Sequence, residues 1–156
     1  MNTPTGKTPS SKTPAPGLPI GMLDLNPWNL KNYHVPWLGE AAADAAVKEG
    51  GELLFKTMVL GIRAGIVLCY TYQDRAWNTP VGFITRFSPP PANPTAQYIA
   101  NVCQWTGFRW DAPLDFHDPK ILVPWARAIW REEQGAPAQT ITTSDILQAK
   151  AMADQS

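Results

Sequence analysis

The chain has 156 residues, 44% of them hydrophobic, enough for one domain with an apolar core. Its 13 basic and 13 acidic side chains balance, which argues against a strongly basic nucleic-acid binder and against a self-solvating acidic tail. Cys69 and Cys103 lie far apart, and His34 and His117 stand alone in sequence, so the expectation is buried free thiols, no disulfide framework, no metal site and no cofactor.

Residues 1–20 carry five prolines, four threonines and two lysines with little to bury, a composition that predicts an extended arm. The arm lacks the apolar run of an export signal, so the product is expected to stay where it is made or to leave by another route. "GKT" at Gly6–Thr8 imitates the end of a phosphate loop, but the glycine five places earlier is missing. Residues 21–136 form the predicted helical body. A short hairpin fits somewhere between residues 30 and 56.

From Thr57 to Gln73 the apolar residues wrap nearly all round a helix, the pattern of a segment buried on every side. Its longest apolar stretch, Met58–Tyr70, is interrupted by Arg63 and falls short of the ~18 residues of a membrane span, so no span is expected. Gly61 and Gly65, four apart, would admit another element close to the helix backbone. Arg63 needs a partner if buried, either the carboxylate of Glu133 or backbone carbonyls, and carbonyls are the preferred reading.

Three Asx/Thr-Pro openings follow, "NTP" at 78–80, "NP" at 93–94 and "DP" at 118–119. Each offers a capping side chain followed by proline at the first helical position. The second helix is predicted to end at Gly107, with Ile99, Val102 and Cys103 at helical spacing. The third is predicted over Pro119–Gln134, ending at Gly135, with Ile121, Leu122, Trp125, Ala128 and Ile129 on one stripe and a kink at Pro124. Residues 137–156 read as a linker and a weaker closing helix, Ser144–Asp154. No segment alternates with period two, so the fold class is all-α.

Glu132 and Glu133 sit at the end of the third helix, where the helix dipole disfavours anions. With Trp125 as zero, Ile121 lies near about −40°, Ile129 near about +40°, Glu132 near about −20° and Glu133 near about +80°. Glu132 therefore continues the apolar stripe and Glu133 lies on its edge. Desolvation and the dipole both favour the protonated carboxyl, the state that a general acid for glycosidic cleavage requires.

Seven sequence pieces then occur in order: "NPWNL" (Asn26–Leu30), "WLG" (Trp37–Gly39), "GIRA" (Gly61–Ala64), "RFSPPPANPTAQYI" (Arg86–Ile99), "WTG" (Trp105–Gly107), "APLDFHDP" (Ala112–Pro119) and "EQG" (Glu133–Gly135). In this order the body, about residues 24–136, resembles a family of small phage-encoded structural proteins similar to lysozyme-like peptidoglycan hydrolases and lytic transglycosylases. The resemblance implies a single lysozyme-like helical domain and a place in the virion, with peptidoglycan and other virion proteins as partners. It also implies muramidase or lytic transglycosylase activity during entry, with Glu133, the family's closing glutamate, as preferred acid and Glu132 as its geometric rival.

Near the implied cleft, the amides of Asn26 and Asn29 suit sugar hydroxyl and N-acetyl groups, with capping and turn formation as their equal alternative. Trp28 and Trp37, in loop-like sequence, are the rings expected to stack on sugars, and Trp105 and Trp125 are expected in the core. One position departs from the pattern: Ala92 stands where the resembling proteins carry a glutamate. A transglycosylase works with one carboxylate because a sugar hydroxyl attacks; an inverting hydrolase needs a second, for which Asp115 and Asp118 are candidates. The alternative function is a non-catalytic virion protein that keeps the fold and binds neighbouring subunits through its arm.

Overall fold

The computed structural model describes residues 18–31, 37–40 and 51–155. Among these the fold is all-α: α1 (Ile20–Leu23), α2 (Met58–Asp74), α3 (Pro80–Phe87), α4 (Thr95–Thr106), α5 (Pro119–Gln134) and α6 (Thr143–Asp154), with a 3₁₀ turn over Ala136–Thr140. Extended pairing is confined, among the described residues, to two isolated antiparallel bridges, Lys31 with Glu52 and Glu40 with Phe55, within the stretch where a hairpin is expected. The arm expected over residues 1–20 lies, up to residue 17, outside the described residues, as does His34.

Side-chain caps mark the starts of α3, α5 and α6. Thr79 accepts the N–H of Gly82 at 3.0 Å and Pro80 follows at the first helical position, launching α3. Asp118 accepts the N–H of Lys120 at 2.9 Å in front of α5, and Thr142 that of Asp145 at 3.1 Å in front of α6. The α4 opening departs from expectation. Asn93 does not cap; its amide donates instead to the carbonyl of Pro89 at 2.6 Å, and the Thr95 hydroxyl donates to that of Ser88 at 2.6 Å. Asn93 is thus drawn back onto the Pro-rich turn, and α4 begins after Pro94 without a side-chain cap.

The chain groups into two compact units, one built on residues 68–133, the other on the described residues before 68 together with 134–155. In the first, Phe83 stands edge-on to Trp125 at 5.1 Å and to Phe116 at 5.7 Å, and Tyr72 lies 4.7 Å from Phe83. Such pairs contribute about 0.5–1.5 kcal/mol each beyond the area they bury. Around them Cys69, Ile84, Tyr98, Val102, Leu114, Leu122, Ile129 and Trp130 are buried. Four of the five residues on the α5 stripe, Leu122, Trp125, Ala128 and Ile129, are in this core, and α5 remains helical through Pro124. Trp105 departs from its expected core place. It is only half-buried and carries the Arg131 guanidinium 4.1 Å above its ring.

The second unit is organised on the first half of α2. Gly61 and Gly65 leave its backbone bare: a methyl group at 61 would collide with the carbonyl of Leu25, and one at 65 with the indole of Trp28. The close approach expected from their spacing is therefore made by the segment 25–28. Trp28 is 0% exposed and donates its indole N–H to the carbonyl of Ile62 at 3.1 Å. Leu30, Leu53, Phe55, Ile62, Ile66, Ala138, Ile141, Ile146 and Ala149 are buried in this unit.

Candidate functional site

α4 and α5 bring together four polar side chains in the first unit. On α5, Glu132 and Glu133 are both half-buried. From α4, Tyr98 donates its hydroxyl to Glu133 Oε2 at 2.7 Å and Asn101 donates its amide to Glu132 Oε1 at 3.0 Å. One turn earlier Gln97 donates to Asn101 Oδ1 at 2.8 Å, so Gln97, Asn101 and Glu132 form a chain of oriented donors. The spacing is helical logic: Gln97 and Asn101 are i and i+4 on one face, and Tyr98 is the next residue round.

Burial weighs on the Glu132 carboxyl. Burial is the main influence that holds Glu132 above the ordinary carboxyl value, the neighbouring Glu133 adds to it, and the Asn101 amide opposes it. Tyr98 is 0% exposed, and burial together with the Glu133 carboxylate pushes its phenol well above the ordinary value. Its proton is therefore retained, and it donates to Glu133 throughout the pH range of interest. The arrangement is one carboxyl biased toward its acid form beside a second that accepts a strong neutral donor. In the sequence reading Glu133 is the preferred acid and Glu132 its rival; the structure brings both against α4.

The other expected site residues belong to the second unit. The Asn26 amide is consumed by backbone: Nδ2 donates to the carbonyls of Leu30 at 3.0 Å and Leu53 at 2.9 Å, and Oδ1 accepts the N–H of Leu30 at 3.0 Å. Asn29 holds a positive φ of 53° and accepts from Gln134 Nε2 at 2.9 Å, while the same nitrogen reaches the carbonyl of Pro27 at 3.0 Å. Asn26 and Asn29 thus take the turn-forming reading. For Trp28 the expectation of an exposed stacking face is corrected: a ring sealed against Gly65 has no face left for a sugar. Trp37 is half-buried, with its N–H donating to the Glu40 carboxylate, and it is the expected aromatic that keeps surface to offer.

Both candidates for a second carboxylate are occupied elsewhere. Asp115 Oδ1 accepts from Gln73 at 3.1 Å and from the N–H of His117 at 3.0 Å, and Asp118 caps α5. Among the described residues no group of three His, Cys, Asp or Glu side chains could hold a metal ion, and no helix is long and apolar enough to cross a membrane.

Sequence reasoning missed Tyr98, Asn101 and Gln97. The signal was present in "QYIAN", where two amides four residues apart flank a tyrosine on an otherwise apolar helix face. Comparison with protein-family models and with curated proteins returns no match for this chain.

Proposed function

We propose that the chain is a bacteriophage virion structural protein whose lysozyme-like domain opens peptidoglycan glycan strands during entry, as a lytic transglycosylase using Glu132 as acid and base. The observation that carries this reading is the Glu132–Glu133 pair on α5, with Glu132 held above the ordinary carboxyl value and Asn101 orienting it. The order of the seven sequence pieces supports the wall as substrate.

In this reading the Glu132 carboxyl delivers its proton to the glycosidic oxygen as that bond breaks. A hydroxyl of the muramyl residue then attacks the same anomeric carbon and returns its proton to the Glu132 carboxylate, closing an anhydro ring and restoring the acid. One carboxylate suffices for both transfers, which accords with Ala92 and with the engagement of Asp115 and Asp118 in local hydrogen bonds. Glu133, fixed by Tyr98, raises the proton affinity of its neighbour.

The second reading, a non-catalytic virion subunit, is favoured by a specific observation: Asn26, Trp28 and Asn29 serve the interior of their own unit. Clearing of purified peptidoglycan by the wild-type chain, Glu132→Gln and Glu133→Gln separates the two. The proposal expects Glu132→Gln to lose about a hundredfold or more in rate, the contribution typical of a general acid, and Glu133→Gln to lose less while shifting the optimum to lower pH. Folded samples that do not clear the wall would leave the non-catalytic reading, and equal clearing by all three would remove both glutamates from the chemistry.

A further inference from the structure

Two guanidiniums lie beside the Trp77 ring. The guanidinium carbon of Arg86 lies 4.1 Å from the indole centroid and that of Arg75 lies 5.3 Å from it. One guanidinium over an indole is attracted by the ring's negative face. Two exposed guanidiniums lie beside this indole, and among the described residues neither is ion-paired. The one hydrogen bond to protein from these two side chains is a long one, Arg86 to the Gly82 carbonyl at 3.4 Å. Most of their planar donor groups therefore point to no acceptor.

A third donor shares the place. Tyr72 meets Trp77 edge-on at 5.5 Å, and its hydroxyl makes no hydrogen bond to protein among the described residues. Burial pushes this phenol above its ordinary value while Arg86 and Arg75 pull against that, so it keeps its proton within the field of both cations. The backbone holds the group in place. α2 ends with the N–H of Ala76 on the carbonyl of Gln73 at 2.9 Å and the N–H of Trp77 on that of Tyr72 at 2.8 Å, the paired bonds of a Schellman turn. Arg86 is carried on the last turn of α3.

We propose that Arg75, Arg86 and the Tyr72 hydroxyl form a binding site for a phosphate-type oxyanion at the Trp77 ring. An oxyanion there supplies acceptors to all three donors. A tetrahedral phosphate presents oxygens in several directions to donors borne on separate elements, whereas a planar carboxylate is matched by one guanidinium fork. The site is independent of glycan cleavage.

The test is an amide and indole NMR titration of the full chain with sodium phosphate, with sodium chloride at matched ionic strength and sodium succinate as parallel arms. The Trp77 indole N–H and the Nε–H signals of Arg75 and Arg86 should shift saturably with phosphate. The double variant Arg75→Gln, Arg86→Gln, with a native-like spectrum elsewhere, should bind at least about tenfold more weakly, as expected for the loss of charge-assisted contacts. A glycerophosphodiester probe, bound at least as tightly as phosphate, would identify a phosphodiester chain as the source; weaker binding would identify free phosphate. Absence of a saturable shift, or an unchanged affinity in the double variant, would overturn the site. Equal binding of succinate would overturn its assignment to phosphate.

Discussion

Glu132 illustrates how a single side chain records its surroundings in its proton affinity. A carboxyl held above its ordinary value, 4.5, binds its proton more tightly folded than unfolded. Stability therefore falls as pH rises from that value through the folded one, and the loss persists above it. Glu132→Gln keeps an oxygen for Asn101 and removes the charge. It should match the wild type in thermal stability near about pH 3, where both carry a neutral side chain, and exceed it at about pH 7. A stability gap that is constant with pH would mean that burial of Glu132 does not govern its charge. The geometry of this residue was legible in the sequence because helical angle alone placed it on the apolar stripe. Its partner was not, since Asn101 comes from 31 residues away and no local pattern links it to α5.

At the scale of elements, the chain writes its helix boundaries plainly. Thr79-Pro80, Asp118-Pro119 and the glycines at 107 and 135 mark ends that the structure keeps. These signals are legible because capping and backbone conformation are decided within a few residues. The end of α2 was less visible, because Ala76 rather than glycine occupies the left-handed position, with φ 60°. A left-handed conformation costs an alanine about 1–2 kcal/mol, part of which glycine returns as added freedom in the unfolded chain. Ala76→Gly should therefore stabilise the protein by roughly 1 kcal/mol, read as a higher urea midpoint with unchanged slope. A lower midpoint would show that the turn gains more from the alanine methyl than it loses to strain. Within "NPWNL", Trp28 departs from expectation for a different reason. Asparagine and proline make the segment look like surface loop, yet Gly61 and Gly65 open α2 to receive it, and the Asn26 amide supplies its backbone with the partners that burial demands.

For the molecule as a whole, the all-α class followed from the absence of period-two alternation and from the wrap-around apolarity of α2, both properties of long stretches. Which residues face a substrate did not follow, because that depends on how distant stretches cover one another. Trp28 is buried within its own unit by that effect, and Asn26 takes the turn-forming alternative. The central claim is that this carboxyl acts as both acid and base on the glycan strand. Mass spectrometry of fragments released from purified peptidoglycan tests it most directly. The account predicts anhydro-muramyl ends from the wild-type chain and none from Glu132→Gln. Fragments with reducing ends, or anhydro ends that persist in Glu132→Gln, would contradict it.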